Sequence, residues 1–173
     1  MADNRLTFDG KIELILGPMF SGKTTTLLTR YRRYMIAGKK VLLVNNDRDI
    51  RYGKKKIITH DKISMEAVCC SKLCEIDDKV SKYQVICIDE IQFYPDAIKY
   101  IDKWANQGLI IEASGLNGTF DRKPFDVISN LLPLVENITF LTAICKKSGT
   151  DAAFSKRLSS DTNEILIGGE DLY

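Results

Sequence analysis

Short apolar runs recur along the chain, each followed by a segment with helical spacing. Ile12-Glu-Leu-Ile-Leu16 predicts a first strand, and Thr25-Thr-Leu-Leu-Thr-Arg-Tyr-Arg-Arg33 a helix behind it. Lys40-Val-Leu-Leu-Val-Asn45 reads as a second strand, whereas residues 46–63 are polar and irregular. Met65, Val68, Leu73 and Ile76 form an imperfect stripe that predicts a helix over 64–80. Tyr83-Gln-Val-Ile-Cys-Ile-Asp89 is almost wholly apolar, the pattern of a strand buried on both faces of a parallel sheet. Further on, Pro95–Gln107 carries Ile98, Ile101, Trp104 and Ala105 at helical spacing. Gly108-Leu-Ile-Ile-Glu-Ala-Ser114 is strand-like, Pro124–Leu132 helical, and Ile138-Thr-Phe-Leu-Thr142 a further strand. Such alternation predicts an α/β fold with a mostly parallel sheet flanked by helices.

After Ala143 the pattern changes. Cys145-Lys-Lys-Ser148 reads as a tight polar turn, Ala152–Leu158 as helical or extended, and Glu164-Ile-Leu-Ile167 alternates weakly before Gly168-Gly169. The reading is a main domain over 1–142 and a small attached unit over 143–173, too short to fold alone.

The most informative segment is Gly17-Pro18-Met19-Phe20-Ser21-Gly22-Lys23-Thr24, which sits between the first strand and the first helix. This is the G-x-x-x-x-G-K-[ST] phosphate loop in its required context. Its glycines permit a tight turn in which successive N–H groups face one concavity, and the helix beginning near Lys23 adds its positive dipole end. Lys23 is then placed for the β- and γ-phosphates and the Thr24 hydroxyl for Mg²⁺.

A second signal is Asp89-Glu90 at the end of the central strand. Asp89 there can face the magnesium side opposite Thr24. Glu90, on backbone leaving the strand, is free to accept a proton from an attacking hydroxyl. Gln92-Phe93-Tyr94 and Leu116-Asn-Gly-Thr-Phe120 put aromatic rings at successive strand ends, suitable walls for a flat heterocycle. Arg122 and Lys123, before Pro124-Phe125, place cations within reach of transferring phosphates. His60 is the only histidine; it reads as a local hydrogen-bonding residue.

Composition narrows the partners. Hydrophobic residues make up 45% and charged residues 28% of 173, the profile of a globular protein. A net charge of +2 gives no reason to expect a nucleic acid or an anionic membrane. The longest basic runs, Lys39-Lys40 and Lys54-Lys-Lys56, are short and read as solvated surface. No apolar stretch is long enough to span a bilayer, and the first residues lack a signal-peptide pattern, so the cytoplasm is expected. The five cysteines are irregularly spaced, which argues against a disulfide framework. Cys87 reads as a small buried hydrophobe, and Cys69, Cys70 and Cys74 fall on the predicted helix.

Together the phosphate loop, Arg51-Tyr52, Thr59-His-Asp61, Asp89-Glu-Ile-Gln-Phe93 and Gly115-Leu-Asn-Gly-Thr-Phe-Asp-Arg-Lys-Pro-Phe125 resemble the small, tetrameric thymidine kinases. The resemblance runs from about residue 10 to Tyr173. It implies a RecA-like fold with a C-terminal lasso unit, and transfer of the γ-phosphate of ATP–Mg²⁺ to the 5′-hydroxyl of thymidine or deoxyuridine. By the same resemblance Glu90 is the general base, acting with Lys23, and Asp89 and Thr24 lie on the magnesium side. Arg51 and Gln92 join the phosphate loop in holding ATP, while Phe93, Leu116, Phe120, Phe125 and Tyr173 line the nucleoside pocket. It further implies a homotetramer, feedback inhibition by thymidine triphosphate, and a lasso over about 159–173. Two positions depart from the family. Ser148 stands where the first zinc pair has its second cysteine, which leaves Cys145 a lone remnant, and the sequence stops at Tyr173 before any later pair. No zinc is therefore expected, since one thiolate cannot make a structural site. Asn117 replaces a common aspartate. The alternatives are a P-loop NTPase hydrolysing ATP and a non-catalytic nucleotide-binding protein; the Leu116–Phe125 motif favours the kinase.

Overall fold

The computed structural model describes residues 10–47, 56–58 and 64–158. In chain order the elements are β1 (Lys11–Gly17), α1 (Lys23–Ile36), β2 (Val41–Asn46), β3 (Lys56–Ile58), β4 (Ser64–Glu66), β5 (Val68–Cys70) and β6 (Val85–Ile88). They continue with α2 (Ala97–Asn106), β7 (Ile110–Leu116), α3 (Asp126–Leu131), β8 (Asn137–Phe140), β9 (Ala143–Ile144) and β10 (Asp151–Ala152).

Six strands form one sheet in the order β5-β2-β6-β7-β1-β8, and every pairing within it is parallel. The α/β architecture expected from the alternating pattern is present. Residue parity explains how the sheet is covered. Ile12, Leu14, Leu16, Ile86, Ile88, Ile111 and Ala113 point to one face, where Ile101 and Trp104 of α2 and Ile128 and Leu131 of α3 pack on them. Ile15, Leu43, Val85, Cys87 and Ile110 point to the other face, against Leu27 and Leu28 of α1. Cys87 is fully buried there, as its apolar context predicts.

A polar cluster interrupts the α1 face. Glu112 of β7 is 2% exposed, and accepts from Arg30 Nη1 at 2.7 Å and from the Tyr34 hydroxyl at 2.8 Å. Arg30 also reaches Glu13 at 2.9 Å and Thr139 at 2.6 Å. One guanidinium thus ties α1 to β1, β7 and β8.

The helix predicted over 64–80 is not formed. Met65 lies in β4, which pairs antiparallel with β3, a strand within the stretch read as irregular. Cys69 and Cys70 lie on β5, parallel to Asn45 and Asn46 of β2, and Cys74 on a 3₁₀ turn, Leu73–Ile76. The stripe was too irregular to hold a helix once the edge of β2 offered a hydrogen-bonded partner. Leu73, Ile76 and Val80 are still buried, from 3₁₀ turns instead. Asp96 fixes the first of these turns by accepting the Leu73 and Cys74 N–H groups at 3.0 and 2.9 Å.

Beyond β8 the chain forms a hairpin of β9 and β10 closed around Cys145–Thr150. Residues 153–158 have no regular structure, so the helical option for 152–158 is excluded. The weak alternation at 164–167 lies outside the described residues.

Candidate active site

In the sheet β1 lies between β7 and β8, with the chain order reversing around it. In an open parallel sheet such a reversal opens a crevice at the carboxyl ends of the strands. The phosphate loop leaves β1 at that point. Gly22 has φ +80°, a left-handed conformation natural to glycine, and α1 starts at the next residue. Phe20 holds φ +61°, a strained value for a side chain of its size. Lys23 is buried, and its Nζ donates to the Pro18 carbonyl at 2.6 Å. The Ser21 hydroxyl donates to the same carbonyl at 2.9 Å.

From Thr24 a chain of hydrogen bonds crosses the site. Its hydroxyl donates to Asp89 Oδ2 at 2.9 Å. Asp89 Oδ1 accepts from the Ser114 hydroxyl of β7 and, at 3.1 Å, from the Glu90 N–H. Burial pushes the Asp89 carboxyl up to about 6, reinforced by the charge of Glu90 and opposed by Ser114, Thr24 and Lys23. Glu90 has φ +52°, so the chain turns sharply out of the strand direction immediately after Asp89. Gln92 then donates from Nε2 to Glu90 Oε2 at 2.6 Å and accepts the Leu116 N–H on Oε1 at 3.2 Å. A Cβ on Gly115 would lie 2.7 Å from Gln92 Oε1 and 2.8 Å from Ile91 Cγ2, so only glycine permits this approach.

The amide of Gln92, grouped by resemblance with the ATP-binding residues, is therefore used on Glu90 and Leu116. Phe93, Leu116, Phe120 and Phe125 are half-buried at the ends of β6 and β7 and on the loop after β7. Phe125 also packs against the main core. The loop carrying Phe120 is stiffened by Thr119, whose hydroxyl donates to Asp121 at 2.5 Å and accepts the Lys123 N–H at 2.9 Å. Arg122 and Lys123 are both exposed. Lys123 pairs with Asp121 at 2.8 Å, and Arg122, at φ +64°, lies over Phe154 at 5.7 Å. Arg51, His60 and Tyr173 lie outside the described residues.

Beside the phosphate loop is a cavity of about 550 Å³ lined by Met19, Phe20 and Thr25 and by Ile144, Cys145, Phe154, Ser155 and Leu158, together with Lys146, Lys147 and Lys156. The Cys145 thiol is held down to about 7, chiefly by the Ser148 hydroxyl and then by the Ser148 and Lys147 N–H groups. Among the described residues no group of three or more His, Cys, Asp or Glu is placed to hold a metal ion. No described helix is long and apolar enough to cross a membrane.

The sequence reading missed Ser114, Ser155 and Arg157. A hydroxyl in an otherwise apolar strand end was the available signal for Ser114. Ser155 and Arg157 lie in an aperiodic tail that offered none.

The family description "Thymidine kinase" matches residues 10–173. The chain belongs to the thymidine kinase family. It is 47% identical over 164 residues to the thymidine kinase of Vaccinia virus (strain Western Reserve), covering 95% of this chain and 92% of that one. Over the same span and coverage it is 49% identical to the thymidine kinase of Raccoon poxvirus and 46% identical to that of Variola virus.

Proposed function

We propose that this chain transfers the γ-phosphate of ATP to the 5′-hydroxyl of thymidine or deoxyuridine. One observation carries the assignment of roles: the hydrogen-bond chain from Thr24 through Asp89 and Glu90 to Gln92 and Leu116, which links the phosphate loop to the aromatic loop. Phosphoryl transfer needs a donor and an acceptor held side by side with little covalent chemistry from the protein. Lys23 and the phosphate-loop N–H groups hold the donor phosphates. The Thr24 hydroxyl and the Asp89 carboxylate are hard oxygen donors from two elements meeting at one point, a set suited to Mg²⁺. When bound, that ion neutralises charge on the phosphate oxygens. Glu90 takes the proton of the attacking hydroxyl, oriented by Gln92. Phe93, Leu116, Phe120 and Phe125, with Tyr173, wall the base and sugar, and the cavity beside Phe20 accepts the adenine.

The same family membership supports a cytoplasmic homotetramer inhibited by thymidine triphosphate. Of the zinc pair only Cys145 remains at its first position, with Ser148 at the second, so the reading includes no structural zinc. ATP turnover measured with and without thymidine tests the proposal. Turnover strictly dependent on nucleoside supports it; equal turnover without nucleoside makes the chain a hydrolase, and none in either case a binding protein.

A further inference from the structure

Residues 153–157, which follow the hairpin, touch both halves of the site. The Ser155 hydroxyl oxygen accepts the Met19 N–H of the phosphate loop at 2.9 Å. The Ala153 carbonyl accepts from Asn117 Nδ2 at 3.1 Å. Arg157 is 9% exposed and lays its guanidinium over the Phe120 ring, 3.9 Å from the centroid.

A buried guanidinium is an expensive way to fill space. Methionine or leucine would cover the same ring without desolvating a charge. What the cation adds is directional: it is attracted to the face of the ring and holds that face in one orientation, most strongly where water is excluded. Phe120 stands on a loop already stiffened by Thr119, and Arg157 covers one face of its ring. Ser155 acts on the other side, on a backbone N–H within the phosphate loop next to the strained Phe20.

We propose that Arg157 and Ser155 are positioning residues with separate targets: Arg157 sets the Phe120 wall of the nucleoside pocket, and Ser155 sets the phosphate loop for the donor. This rests on the nucleoside kinase reading above. Arg157 acts through Phe120, and Ser155, which also lines the cavity beside the phosphate loop, acts through the Met19 N–H.

The test uses Arg157→Met, Arg157→Lys and Ser155→Ala in the full chain. Thymidine Kd is measured by calorimetry without ATP, and KM for each substrate by kinetics. Arg157→Met is expected to raise thymidine Kd and KM about tenfold or more, with the KM for ATP within about twofold of wild type. Arg157→Lys, which keeps the cation, is expected to recover part of the loss. Ser155→Ala is expected to do the reverse, raising KM for ATP by several-fold, about the effect of a lost hydrogen bond, with thymidine Kd unchanged. Should Arg157→Met fail to fold, a double-mutant cycle of Arg157→Lys with Phe120→Leu decides it. Coupling of about threefold or more in thymidine Kd supports the contact, and additive effects overturn it. An Arg157→Met protein with wild-type thymidine Kd, or variants that shift both substrates equally, also overturns it. A wild-type chain that binds no thymidine refutes the underlying reading instead.

Discussion

Asp89→Asn is expected to stabilise the ligand-free protein at alkaline pH while destroying its activity. Asp89 is 4% exposed, and burial, with the neighbouring Glu90 charge, pushes its carboxyl from 3.8 up to about 6. The attractions of Ser114, Thr24 and Lys23 are already included in that balance and do not reverse it. A raised acid binds its proton more tightly in the fold than in the unfolded chain. Its favourable contribution is complete below about 3.8 and is lost as pH rises through about 6. At pH 8 the ionised carboxylate therefore costs the fold about 3 kcal/mol, two units at about 1.4 kcal/mol each, as an upper bound. Asparagine removes the charge and keeps the geometry. Its Oδ1 can still accept from Ser114 and the Glu90 N–H, and its Nδ2 can donate to Thr24 with the bond direction reversed.

Thermal unfolding without Mg²⁺ or nucleotide, followed at pH 8 and pH 4.5, measures the effect. One kcal/mol moves Tm by roughly 2–4 °C for a domain of this size, so the variant is expected to melt several degrees above wild type at pH 8. The gap should shrink steadily toward pH 4.5. Phosphoryl transfer should fall by on the order of 10² or more, because the carboxylate proposed to face magnesium is gone. Mg²⁺–ATP should raise the Tm of wild type but not of the variant. A variant less stable than wild type at pH 8, or a gap independent of pH, would refute the reasoning.

Glu90→Gln is expected to lower kcat by about 10²–10⁴ while leaving thymidine affinity by calorimetry near wild type; unchanged kcat eliminates Glu90 as the base. Arg30→Ala strands the buried Glu112 carboxylate and is expected to cost about 3–5 kcal/mol in urea unfolding; a loss below about 1 kcal/mol would mean that Tyr34 alone satisfies Glu112. The Cys145 thiol should be alkylated by iodoacetamide with a midpoint near pH 7, and a midpoint near the ordinary value of about 8.5 contradicts its hydrogen bonds to Ser148 and Lys147. Chelator treatment should leave full activity once Mg²⁺ is restored, and stoichiometric zinc in elemental analysis of the purified protein would overturn that expectation.

What was legible in the sequence was what is specified locally. The phosphate loop is read directly because a strand, two glycines, a lysine and a helix start lie within a single short segment. Asp89-Glu90 is legible for the same reason: an apolar run that stops at an acidic pair marks a strand end. The stretch 64–80 was misread because its residues are placed by a partner distant in sequence. Cys69 and Cys70 are strand residues only because Asn45 and Asn46 stand beside them. Gln92 illustrates the same limit at the site. Its place in the motif was visible, but its hydrogen bond to the Leu116 N–H depends on β7 bringing that residue alongside the turn after β6. Arg157 and Ser155 depend on a tail with no periodicity, folded back over loops far from it in sequence.

Adjacent carboxylates can serve different tasks only if the backbone separates them, and here it does so at a measurable price. Successive side chains of a strand point to opposite faces, but both faces of this sheet are covered by helices, so alternation alone would not open Glu90 to an acceptor. Asp89 remains in line with the strand and is enclosed by Thr24 and Ser114. Glu90 instead takes φ +52°, a conformation that disfavours a side chain by about 1–3 kcal/mol. The strain is held in place by Gln92, which grips both Glu90 and the Leu116 backbone, and by Gly115, whose missing side chain lets Gln92 in. Relaxing Glu90 would move its carboxylate away from the Gln92 amide and break that grip. The strained turn thus gives the two carboxylates different surroundings, as the proposed division into a base and a magnesium-side group requires.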